Sequence, residues 1–299
     1  MSFSSEAKAE MCKVPLSRHC CALAEAYGVL LYCHTFDHRE IRIVTASAEL
    51  AERLPRLMKR AFGLEFDRKP EPGAGGKRSF LITDTDKIAR IFDAFGYDAK
   101  SIVSHHLNLG ALEGECCRAA FLRGAFLAGG SVIDPEKRCH LELVTDHLSV
   151  SREVYSLLLE MGLTPKETQR GGNYVNYFRQ SEAIEDFFTM AGAPVSAMGI
   201  MSAKVEKDMR NAMNRIVNCD TANADKIVSA AQEQLDAIRE LDKSMGLSEL
   251  PERLQETAFL RIANPEASLS ELAMLADPPV SKSCMSHRMR KLMELAAHR

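Results

Sequence analysis

Chemistry in this chain would have to come from its cysteines, its histidines, its carboxylates or a glycine-rich turn, and spacing tests each set. Nine cysteines stand at positions 12, 20, 21, 33, 116, 117, 139, 219 and 284. The odd number argues against a complete disulfide framework. None forms a Cys-x-x-Cys pair, so zinc-ribbon and thioredoxin patterns have no support. The adjacent pairs Cys20-Cys21 and Cys116-Cys117 fall in helical contexts, where a thiol reads first as a small hydrophobe. His105 and His106 sit on a connector with no further ligand at metal-site spacing. The stretch EPGAGGKRS (71–79) is only faintly like a phosphate loop, because Glu71 stands where a Walker motif needs glycine. Lying between two strand-like segments, it reads as a hairpin loop. No cofactor and no metal is expected.

Recognition chemistry concentrates near the end of the chain. The formal net charge is −3, yet from Ser281 to Arg299 five basic residues face the single acid Glu294. Local charge decides how a small module meets DNA. Three short helices are expected in 250–299. The first, about 252–262, is stopped by Asn264-Pro265. The second opens at Ser268, with Glu271 completing a capping box, and sets Leu269, Leu272 and Leu275 along one side. Asp277-Pro278-Pro279 breaks the chain, and Ser281 caps the third. On that helix Met285, Met289, Leu292 and Ala296 form an apolar stripe, while Ser283, Ser286, His287 and Arg290 fall on the opposite side. Small polar residues and a forked guanidinium suit a major groove. Lys282, Arg288 and Lys291 lie to the sides, where phosphates would pass. The candidate DNA contacts are therefore Ser281, Lys282, Ser283, Ser286, His287, Arg288, Arg290 and Lys291, in helix-turn-helix order.

The elements before this module are organised by an internal repeat. Residues 18–33 (RHCCALAEAYGVLLYC) match 114–129 (GECCRAAFLRGAFLAG) at an offset of 96, which superposes the cysteine pairs and puts Gly28 on Gly124. Val44-Thr45 returns as Val144-Thr145, and IFDAFG (91–96) as FFTMAG (187–192). Each copy reads as an apolar helix, an alternating strand, an amphipathic helix ended at Gly63 or Gly162, a hairpin and a short helix. The expected unit is αββαββα, twice, each copy contributing a four-stranded sheet. Connecting helices are expected over 203–217 and 222–244.

The segment FLRGAFLAGGSV (121–132), followed by DPEK and HLEL, resembles the LAGLIDADG helix as phrased in the WhiA family. Residues 26–33 are a more degraded copy, and SLSELAMLADPPVSKSCMSHRMRKLMELA (268–296) resembles the WhiA C-terminal domain. The resemblance implies an α+β fold, a duplicated LAGLIDADG-like αββαββα domain followed by a helical linker and an all-α helix-turn-helix domain. The boundaries expected are 1–110 for the N-terminal region and first repeat, 111–195 for the second, 196–247 for the linker and 248–299 for the DNA-binding domain. LAGLIDADG nucleases hold divalent metal with one carboxylate at the foot of each helix. Those positions are Cys33 and Gly129 here, so a DNA-binding regulator that does not cut is expected, not an enzyme. Glu25, Glu115 and Asp134 do not match either position. The resemblance also implies a role in cell division, chromosome segregation and sporulation. Double-stranded DNA is the expected partner, with another regulatory protein a further candidate. A residual nuclease and a ligand- or protein-sensing scaffold are the rival readings. On the repeat's strands Arg42, Lys69, Arg78, Lys166 and Arg170 share space with Glu40, Glu65, Asp67 and Glu142, which fits a solvated sheet as well as a DNA saddle. No apolar run approaches the ~20 residues of a membrane helix, and the polar N-terminus lacks a secretory core. A cytoplasmic, nucleoid-associated protein is expected.

Overall fold

A computed structural model describes residues 2–71, 76–98 and 104–298. The chain divides into two compact units, residues 1–208 and 209–299. The first opens with α1 (Phe3–Met11) and then runs through the two repeats. Repeat one is α2 (His19–Leu31), β1 (Thr35–Phe36), β2 (Ile41–Thr45), α3 (Ala48–Phe62), β3 (Arg78–Ile82) and α4 (Thr85–Ala94). Repeat two is α5 (Glu115–Gly129), β4 (Gly130–Val132), β5 (Leu141–Thr145), α6 (Leu148–Glu160), β6 (Lys166–Arg170), β7 (Asn173–Phe178) and α7 (Ser181–Ala191). Repeat two follows the expected αββαββα order.

Both sheets are antiparallel, with orders β1-β2-β3 and β4-β5-β7-β6. The first therefore has three strands where four were expected. Residues 64–69 form no ladder along β3; their backbone meets it through the isolated Arg68–Leu81 bridge and the bond from Asp67 N–H to the Leu81 carbonyl, and Phe66 packs its ring on Phe80. The Asp67 side chain explains the departure, because it accepts from Thr83 and Asp84 N–H and pairs with Lys87. It thereby holds the segment against the start of α4 instead of along a ladder. The central glycine-rich residues 72–75 lie outside the described residues.

Alternation sets the strand faces: Ile41 and Ile43 of β2, and Leu141 and Leu143 of β5, are buried against the helices. Ser47 caps α3 by accepting from Leu50 N–H at 3.1 Å. Two features were not expected. α1 is a helix of its own, and its Glu10 carboxylate accepts from Val195 and Ser196 N–H at 2.7 and 2.9 Å, capping α8 (Pro194–Met245). Moreover, α8 is one 52-residue helix where two were expected. Residues 218–221, Asn-Cys-Asp-Thr, are weak helix formers but include neither proline nor glycine, so nothing there forces a stop. The second unit ends in α9 (Glu252–Ala263), α10 (Leu269–Leu275) and α11 (Lys282–Ala297). Among the described residues, no helix is both long and apolar enough to cross a membrane.

The paired helices α2 and α5 form the centre of the first unit, and their contact is backbone to backbone. A Cβ on Gly28 would lie 2.2 Å from the Phe121 carbonyl oxygen, and one on Gly124 would lie 2.0 Å from that of Glu25. The two contacts are mates under the 96-residue offset. Only glycine fits at this crossing.

Candidate nucleic-acid interface and the feet of the paired helices

The recognition module is built on a small apolar core. Met285, Met289 and Leu292 of α11 are each at most 1% exposed and pack with Leu254, Ala258, Leu272 and Ala273. Ser281 caps α11 through a 3.2 Å bond from Cys284 N–H. The capping box at Ser268 and Glu271 starts α10. That helix turns Leu272 and Ala273 inward, whereas Leu275, expected in the stripe, is 53% exposed. Its period is set by only seven residues, and the core selects Ala273 in its place. Arg261 was not singled out by sequence. It is buried, and its Nη1 donates to the Asn264 and Ala267 carbonyls at 3.3 and 2.6 Å, pinning the turn from α9 to α10.

Of the eight candidate contacts, Ser281, Lys282, Ser283, Ser286, His287, Arg290 and Lys291 are exposed. Ser283, Ser286, His287 and Arg290 share the side of α11 opposite its buried methionines. Arg290 Nη2 donates to His287 Nδ1 at 3.0 Å, and its Nε lies 3.8 Å from Glu294. Such exposed contacts are weak and exchange readily for a base or phosphate. Arg288 is different. Its guanidinium is 3.1 Å from Glu256 of α9 with the side chain 14% exposed, and Glu256 also accepts from Asp277 N–H at 2.9 Å. Arg288 thus ties α11, α9 and the intervening turn together, and it is withdrawn from the outward set.

In the first unit, the feet of α2 and α5 border a cavity of about 620 Å³ lined by Tyr32, Cys33, His34, Lys77, Gly129 and Asp146, among others. Cys33 Sγ donates to the Thr35 carbonyl at 3.1 Å, and burial pushes the thiol up to about 12, so it stays protonated. Gly129 has no room for a carboxylate: a Cβ would lie 2.6 Å from the Val144 carbonyl oxygen and 2.7 Å from the Tyr32 ring. Among the described residues, Asp146 is the one carboxylate lining the cavity, and it is 63% exposed beside His147. A LAGLIDADG metal takes a carboxylate from each helix foot, and neither Cys33 nor Gly129 carries one.

The remaining candidates also have structural occupations. Glu25 is fully buried, held by Arg53 at 2.5 and 2.8 Å and by Arg123 at 2.8 Å. Asp134 accepts from Glu136 N–H in a turn. His105 stacks on Phe36 and bonds its carbonyl, and His106 lies 3.0 Å from Glu153. On the strands Arg42 pairs with its near neighbour Glu40 and Arg170 with Glu142, and in the segment before β3 Lys69 pairs with Glu65.

Two LAGLIDADG-like halves joined through close-packed helices, followed by a helix-turn-helix module, define the class. Family models agree: residues 118–210 match the WhiA LAGLIDADG-like domain and residues 213–296 the WhiA C-terminal HTH domain. A probable cell division protein WhiA of Ruminiclostridium cellulolyticum is 36% identical over 304 residues, covering 99% of this chain and 97% of the relative. Its namesake in Desulforudis audaxviator is 36% identical, covering 100% and 97%. The crystal structure of full-length DUF199/WhiA from Thermatoga maritima has the same fold, with a TM-score of 0.61 at 22% identity over 100% of this chain and 99% of that one. The chain belongs to the WhiA family.

Proposed function

We infer that this protein is a sequence-specific DNA-binding transcriptional regulator, cytoplasmic and nucleoid-associated, that binds double-stranded DNA through α11 and does not cut it. The observation carrying this reading is the outward face of α11, where Ser283, Ser286, His287 and Arg290 stand together opposite the buried Met285, Met289 and Leu292. Arg290 can pair bidentately with guanine, while the serines and His287 reach neighbouring base edges. Lys282 and Lys291 meet the flanking phosphates. The absence of nuclease activity follows from Cys33 and Gly129 at the metal positions. A role in cell division follows the names of the relatives, and the family resemblance extends it to chromosome segregation and sporulation. The domain limits that accompany this reading are 1–195 for the two repeats, 196–247 for the linker and 248–299 for the reader. A regulatory protein partner is compatible with Phe259, Ile262, Met274 and Leu275, four large apolar side chains exposed on α9 and α10. The test is selection of preferred sites from random duplexes by the full chain. Enrichment of a defined motif supports the reading, and an unenriched pool contradicts it.

A further inference from the structure

The cysteine pairs lie 96 positions apart in sequence but meet in space. Cys20 and Cys21 stand in the first turn of α2, and Cys116 and Cys117 in the first turn of α5. The glycine crossing holds these helices side by side, and it brings the two first turns together. All four Sγ atoms lie within 4.8 Å of one another, with 4.0 Å inside each adjacent pair. We propose that these four cysteines bind a single zinc ion in a tetrathiolate site that clasps the two repeats.

The spacing selects one soft ion. A regular tetrahedron with edges of 4.0–4.8 Å has its centre about 2.4–2.9 Å from each corner, against ~2.3 Å for a Zn–S bond. Closing the set around zinc therefore takes shifts of a few tenths of an ångström in four side chains. An iron–sulfur cluster places several metal and sulfide atoms between its thiolates. Four sulfurs this close leave space for one atom. Thiolates also exclude magnesium and calcium, which take oxygen.

The surroundings favour a negatively charged tetrathiolate centre. Four thiolates around Zn²⁺ carry a net charge of −2. Arg18 Nη1 lies 3.8 Å from Cys116 Sγ. The N-cap residues of both helices, Arg18 and Gly114, make no side-chain cap bond. All four cysteines stand in first turns, so the positive ends of both helices lie beside the cluster. Cys20 is exposed and Cys117 buried, so the cluster runs from the surface inward and an ion has a way in. The pattern escapes a search for Cys-x-x-Cys because each repeat supplies half of the ligands, as two neighbours on successive helix positions.

The experiment uses the full chain, reduced and freed of metal with a chelator under anaerobic conditions, then titrated with Zn²⁺ or Co²⁺. The site predicts one ion per chain, thiolate-to-cobalt charge-transfer absorption with tetrahedral d–d bands, and four of the nine thiols shielded from alkylation by zinc. Cys20→Ser/Cys116→Ser, which leaves Cys117 in the core untouched, should fold by circular dichroism. It should lose more affinity than the ~10–100-fold typical of removing a group that merely orients a ligand. Cys219→Ser/Cys284→Ser should bind as the parent does. The proposal fails if zinc does not bind at micromolar concentration, if the Cys20→Ser/Cys116→Ser chain binds unchanged, or if mass analysis of the chain as purified, alkylated before any reductant is added, finds Cys20–Cys117 and Cys21–Cys116 disulfides in place of metal.

Discussion

Glu25→Gln should weaken the first unit more than any surface change, and the structure supplies the size of the effect. The carboxylate is 0% exposed and receives three charge-assisted hydrogen bonds, two from Arg53 and one from Arg123. Arg53 and Arg123 are 2% and 7% exposed. Arg53 keeps the carbonyls of Cys12 and Val14, and Arg123 keeps that of Ala191, but both charges would lose their counterion. Leaving such charges buried and unpaired costs about 3–5 kcal/mol. In a unit of some 200 residues that corresponds to a fall of roughly 6–20 °C in melting temperature. The assay is urea and thermal unfolding of the full chain, followed by a probe placed in the first unit. A triple replacement by Leu or Met at Glu25, Arg53 and Arg123 should recover much of the loss, since apolar groups leave no charge stranded. A cost below about 1 kcal/mol for Glu25→Gln would refute the reasoning, because the carboxylate would then not be the counterion of both arginines.

Purified protein with supercoiled plasmid and Mg²⁺ or Mn²⁺ should leave the DNA intact, and EDTA-sensitive nicking that persists through purification would contradict this. Cys33→Asp/Gly129→Asp should not create a nuclease. It should instead unfold at lower temperature in a thermal melt, because a Cβ at position 129 collides with Val144 and Tyr32. Lys8 donates to the Leu127 carbonyl at 3.2 Å above the Phe126 ring, and burial pulls its ammonium from 10.5 down to about 8. Between those values the unfolded chain holds the extra proton, so stability should rise with pH across that window. In paired urea titrations at pH 8 and 10, Lys8→Met should lack this increment. Met289→Ala, emptying a site 1% exposed, should destabilise the second unit by about 2–5 kcal/mol in the same titrations.

Much of this was legible because periodicity and duplication report directly on burial. The α11 stripe and the Ser268 capping box follow from spacing, and the repeat offset alone superposes Gly28 on Gly124. What escaped depended on partners distant in sequence. Arg288 lies only about 40° from Leu292 on a helical wheel, a hint that it borders the core. That Glu256 would receive it could not be read from α11. Glu25 falls off the nuclease carboxylate positions, and its place as a buried counterion depends on Arg53 and Arg123, which come from two other helices. The missing fourth strand turned on Asp67 choosing backbone N–H groups at the start of α4 over a ladder. The cysteine cluster was hidden for the same reason: its ligand spacing exists only once the repeats fold together.

The most direct measurement is competition binding of the parent chain, Arg290→Ala and Lys291→Ala to a selected duplex and a scrambled one at two salt concentrations. If α11 reads sequence, Arg290→Ala loses about 1–3 kcal/mol of preference for the selected duplex and keeps its affinity for the scrambled one. Lys291→Ala then weakens both alike and flattens the salt dependence by about one unit of slope. Full sequence preference in Arg290→Ala would show that this face of α11 is not the reader.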